Sequence, residues 1–117
     1  MVLIKRYARC VLAVAILASC SARALADTDA TSAQRIAKQN ACLGCHAVNK
    51  KIVGPSFQDV AKKYATDPNA KVFLKNKILK GGSGSWGVVP MPANAKLSDV
   101  DLSLLVAWVL LGAPNGN

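Results

Sequence analysis

The chain has 117 residues and is strongly basic: fifteen Lys and Arg stand against six Asp and no Glu, for a formal net charge of +9. That length leaves room for one small domain and excludes a second. A basic surface suits nucleic acid, an anionic membrane or an acidic protein, and the start of the chain selects among them.

Met1 to Arg9 is basic, Val11 to Ala18 is apolar, and the small-residue site Ala24-Leu25-Ala26 follows. This is the pattern of a secretory signal peptide over 1–26, with the domain at 27–117. The apolar run is well short of the ~20 residues that span a bilayer. A second processing reading competes, because Leu17-Ala18-Ser19-Cys20 resembles a lipobox: the signal would then be 1–19, with Cys20 acylated and 21–33 a polar tether. Either route exports the domain to the periplasm, which removes nucleic acid as a partner and admits a membrane only if Cys20 is lipidated. Beyond Ala26 eleven Lys and Arg face six Asp, leaving about +5, and ten of the eleven are lysines, point charges suited to loose docking.

Asp29 or Thr31 is positioned to cap a first helix through Ala33, Ile36, Ala37 and Gln39. The helix runs into Cys42-Leu43-Gly44-Cys45-His46. With Cys10 and Cys20 in the leader, Cys42 and Cys45 are the only cysteines of the domain, and His46 is its only histidine. C-x-x-C-H is the haem-attachment pattern. Residues three and four apart share a helical face, so two thiols and an imidazole can address one flat object. A structural zinc site needs four ligands and one chain is a ligand short; a plain disulfide or a redox dithiol stays open.

Ser56 to Tyr64 reads as a short helix, with Phe57, Val60, Ala61 and Tyr64 inward and Lys62 and Lys63 on a solvated outer face. Asp67 with Pro68 opens a third helix along Val72, Phe73, Ile78 and Leu79, which Gly81-Gly82 stops. Residues 82–96 are irregular, and their Gly/Ser-rich run reads as slack before Pro90-Met91-Pro92. Ser98 and Asp101 form a capping-box-like pair for a last helix with the stripe Leu102, Leu105, Val106, Val109 and Leu110, ended by Gly112. The inventory is all-α, and about 90 residues give a marginal protein-only core that a bound haem would complete.

Cys42-Leu43-Gly44-Cys45-His46, the VGPSFQDVAKKY segment at 53–64, KILKGGSGSWGVVPMPAN at 77–94 and LLVAWVL at 104–110 together resemble the class I c-type cytochromes, specifically the short bacterial monohaem kind. The resemblance implies the cytochrome c fold, four to five short helices around one covalently attached haem c, with N- and C-terminal helices crossing and Ile36 near Trp108. It implies thioethers at Cys42 and Cys45, with His46 and Met91 as axial ligands to iron. It gives Pro55 a carbonyl contact to the His46 ring, Trp86 a propionate, and Asn94 a place beside the methionine sulfur. Lys77 takes a position that can face a propionate. Ala41 stands where the family commonly has glycine. A haem with both axial positions filled implies a monomeric electron carrier and not an enzyme. Its partners by resemblance are a quinol-oxidising complex on one side and a nitrite reductase, terminal oxidase or peroxidase on the other. Thioether ligation and burial both favour ferrous iron, which implies a potential at the positive end of the c-type range.

Overall fold

In the computed structural model residues 29–115 are described, and the leader with its two processing readings lies outside them. Helix α1 occupies 29–39 and buries Ala30, Ala33, Ile36 and Ala37, a stripe of mostly small side chains that allows close packing. Asp29 and Thr31 are both already helical, so neither is the cap expected from sequence. Asn40 closes the last turn twice, its backbone N–H and its side-chain amide both donating to the Ile36 carbonyl at 3.0 and 2.9 Å. Ala41 then adopts a left-handed conformation, φ 57°, and reverses the chain into a 3-10 turn, Cys42–Gly44.

Helix α2, Phe57–Lys63, starts where Ser56 accepts from the Asp59 N–H at 3.0 Å and donates to the Asp59 carboxylate at 2.7 Å. The Ser56 side chain is fully buried, while Asp59 is exposed. Phe57 and Val60 face inward while Lys62 and Lys63 occupy the last turn, the end that the helix dipole makes favourable to cations. Asp67 does cap, accepting from the Asn69 N–H at 2.8 Å, but it caps a turn through Pro68, and helix α3 begins later, at Ala70–Lys80. Its buried residues are Ala70 and Leu74, whereas Val72 is 64 % exposed. The expected stripe is thereby corrected: Leu74 enters the core, Phe73 and Ile78 turn towards a cleft, and Val72 points to water.

Helix α4, Asp99–Leu110, is capped by Ser98, which accepts from the Asp101 N–H at 3.1 Å. Leu102, Leu105, Val106 and Val109 are buried as the spacing predicts; Trp108 joins them and Leu110 is only half-buried. Gly112 ends the helix at φ 84°, and the Ala113 N–H reaches back to the Trp108 carbonyl at 2.9 Å, a Schellman closure. The Trp108 indole N–H donates to the Pro114 carbonyl at 2.8 Å, so its burial leaves no polar atom unpaired.

One core joins these helices. Ala33, Ile36 and Ala37 of α1, Phe57 and Val60 of α2, Leu74 of α3 and Leu105, Val106, Trp108 and Val109 of α4 form a single cluster. Each large member contributes about 2 kcal/mol by leaving water. Phe57 meets Trp108 edge-on, centroids 5.2 Å apart, a favoured aromatic geometry. The Gln34 side chain of α1 donates to Asn115 at 3.3 Å, tying the first described helix to the end of the chain. No strand occurs among the described residues beyond two isolated antiparallel bridges, His46 with Lys51 and Gly82 with Met91.

Candidate functional site

Those two bridges flank a cleft. It encloses about 1260 Å³ of empty space counting its open mouth, and its floor is the core's outer layer, Val60, Leu74, Val106 and Val109. His46 and Cys45 line it from the loop after α1; Met91, between its two prolines, lines it from the segment after α3.

The imidazole of His46 is pinned by three neighbours. Its Nδ1 lies 2.7 Å from the Pro55 carbonyl oxygen, an atom that only accepts, so Nδ1 is the donor of this bond and Nε2 is left for another partner. Phe57 stacks on the ring at 5.3 Å and 19°. Gly54 permits the approach: a Cβ there would stand 2.5 Å from His46 Cε1. The chain around it is anchored by backbone bonds, Val53 and Gly54 donating to the Cys45 carbonyl and Phe57 and Gln58 to those of Ala47 and Val48. Sequence reading singled out Pro55; Gly54 and Phe57 it placed only as loop and helix core, although a glycine immediately before proline is a signal of close backbone approach.

Cys42 and Cys45 sit on the 3-10 turn, both free and half-buried. Burial pushes the Cys42 thiol up, and the neighbouring Cys45 adds in the same direction. A redox dithiol needs the opposite, a thiolate stabilised at neutral pH. Among the described residues no three His, Cys, Asp or Glu side chains are grouped so as to hold a metal ion by themselves.

The segment carrying Met91 is not slack. Gly82 and Met91 exchange both backbone hydrogen bonds, at 2.9 and 3.0 Å, and Gly84 donates to Gly87 at 2.8 Å within the loop they close. We refer to residues 82–91 as the strap. Gly81 is obligatory beside it: φ is 67°, and a Cβ would stand 2.4 Å from the Met91 carbonyl oxygen. Beyond the strap the Asn94 N–H donates to the Ile78 carbonyl at 2.8 Å, anchoring the segment on α3. The composition-based expectation of slack fails because glycine here serves conformation, not flexibility.

Trp86 lies on the rim, 43 % exposed, with the Lys63 Nζ 4.4 Å from its ring centroid. Lys77, also on the rim, donates to the Ser83 carbonyl at 3.3 Å. Cys45, His46, Pro55, Trp86 and Met91 therefore share one cleft, while Cys42 and Asn94 stand beside it and not in its lining. A large, mostly apolar slot, an imidazole with a fixed tautomer, a thioether on a bonded strap and two thiols three residues apart suit an iron porphyrin.

Comparison with known proteins agrees. The sequence profile of cytochrome c matches residues 30–111. Cytochrome c-552 of Nitrosomonas europaea is 47% identical over 75 residues, 64% of this chain and 73% of the relative. Cytochrome c-551 of Pseudomonas aeruginosa is 44% identical over 73 residues, 62% of this chain and 69% of the relative. The crystal structure of N. europaea cytochrome c552 superposes with a TM-score of 0.65 at 44% identity, covering 68% of this chain and 98% of that one. The class 1 cytochrome MtoD of Sideroxydans lithotrophicus superposes at 0.63 with 29% identity, covering 71% and 95%.

Proposed function

The chain belongs to the cytochrome c family as a one-haem electron carrier and not an enzyme, and from that premise we propose how its residues hold the haem and where it works. Cys42 and Cys45 would form the two thioethers, and His46 Nε2 and the Met91 sulfur would hold the iron. The observation that supports this most directly is that His46 and Met91 line the same cleft while His46 Nδ1 is already committed to Pro55. Trp86 serves a propionate at the rim, and Asn94 stands behind the strap near the sulfur.

Bound there, the haem supplies a one-electron iron couple. The residues decide how that couple behaves. The Pro55 carbonyl fixes the imidazole plane and raises its basicity. The Met91 thioether is a soft ligand that favours the reduced metal and raises the potential. The apolar floor acts in the same direction, because a dry site disfavours the state with the extra positive charge. His46 and Met91 would both be taken up in holding the iron, which would leave no open position for a substrate and would suit outer-sphere electron transfer.

Redox proteins are the partners. We propose that the lysines, with Lys51 and Lys77 at the cleft itself, steer partners that carry acidic patches. These are a quinol-oxidising complex as donor and a nitrite reductase, terminal oxidase or peroxidase as acceptor. The protein is exported to the periplasm, by cleavage after Ala26 or by lipid attachment at Cys20. In the described residues no helix is long and apolar enough to cross a membrane.

The ferric protein is expected to show the methionine-to-iron charge-transfer band, lost in Met91→Ala; a high-spin ferric spectrum in the unmodified protein would contradict the ligation. Intact mass of the exported protein reads the covalent haem increment and any lipid at Cys20 in one measurement.

A further inference from the structure

Lys62 and Lys63 read from sequence as one solvated face, yet Lys63 is engaged. Its Nζ donates to the Ser85 carbonyl, 22 residues along the chain, and stands over the Trp86 ring at 4.4 Å. One cation thus grips the tip of the strap by its backbone and by its aromatic ring. Beside this grip the tip has the Lys77 bond to the Ser83 carbonyl at 3.3 Å and its own Gly84-to-Gly87 bond at 2.8 Å; apart from chain neighbours no heavy atom lies within 4 Å of where a Cβ would be at Gly84 or Gly87, and Val88 is 90 % exposed. At the opposite end of the same helix, Phe57 stacks on His46. Helix α2, seven residues long, is therefore a strut of about 10 Å between the proximal imidazole and the loop that presents the distal thioether.

We propose that Lys63 is a positioning residue for the distal ligand: by clamping Ser85 and Trp86 from α2 it keeps the strap closed and Met91 on the iron. The inference rests on Met91 being that ligand, and the experiment separates the two. Cyanide binds the ferric protein only when the Met91 sulfur has left, so its association rate measures strap opening. Lys63→Leu keeps the aliphatic bulk but removes cation and donor; Lys63→Arg keeps both. Cyanide is expected to bind about two- to five-fold faster in Lys63→Leu, the range an exposed cation–aromatic contact supports, and at the wild-type rate in Lys63→Arg. In a Trp86→Leu background, Lys63→Leu is expected to add less than it does alone. Ser98→Ala, which weakens the remote cap of α4, lowers the unfolding midpoint without changing the cyanide rate.

A wild-type rate in Lys63→Leu, or an Arg variant as fast as the Leu variant, overturns the clamp. Met91→Ala is expected to bind cyanide far faster whatever occupies position 63. If it binds at the wild-type rate, the ligand assignment fails instead.

Discussion

Ala41 holds a backbone conformation that L-residues other than glycine avoid at a cost of about 1–2 kcal/mol, and it does so between the end of α1 and the cysteine turn. From sequence, the alanine registers only as a departure from a common glycine; its φ of 57° supplies the reason. Ala41→Gly is expected to raise stability by about 0.5–1 kcal/mol, since glycine's larger unfolded-state entropy returns part of the relief; thermal unfolding of the haem-loaded protein measures it. Gly54→Ala acts in the opposite sense. A methyl 2.5 Å from His46 Cε1 must displace the ring, so the ligand-field spectrum changes before the fold is lost. Ser56→Ala removes a fully buried hydroxyl that both accepts from and donates to Asp59. About 1–2 kcal/mol is expected to go with it, read as a lower denaturant midpoint.

The helices were legible to different degrees, for reasons that differ physically. Helix α4 announces itself through Ser98 with Asp101, a local signal three residues apart, and helix α2 through the spacing of Phe57, Val60, Ala61 and Tyr64. Helix α3 was harder: its apolar residues serve two surfaces, Leu74 the core and Phe73 with Ile78 the cleft, so no single stripe describes it. The strap was misread because its order comes from the non-local exchange between Gly82 and Met91, which composition does not reveal. The site residues were legible as a motif, whereas the grip of Lys63 required the fold to bring α2 beside residues 22 positions away. Gly81→Ala tests the strap as an element. Its Cβ would meet the Met91 carbonyl at 2.4 Å, and the methionine charge-transfer band is expected to weaken while the helical signal persists.

At the scale of the whole molecule a haem in the cleft would add apolar mass to a core that is marginal for so short a chain. The floor of the cleft and the inner face of the helices share Val60, Leu74, Val106 and Val109, so emptying one exposes the other. A chain with both Cys42 and Cys45 replaced by alanine is expected to unfold at a markedly lower temperature and with a broader transition, monitored by circular dichroism. Charge also acts at this scale. With lysines rather than arginines on the surface, electron exchange with an acidic redox partner is expected to slow as salt screens the attraction, which stopped-flow kinetics at graded ionic strength will show.

The contact between Gln34 and Asn115 has an engineering consequence. Residue 34 lies five helical residues after residue 29, a rise of only about 7.5 Å, so Asp29 and Asn115 can be joined by a short linker. New termini opened in the exposed turn at 65–69 would then yield a circular permutant that keeps the cysteine turn, the strap and the four-helix core intact.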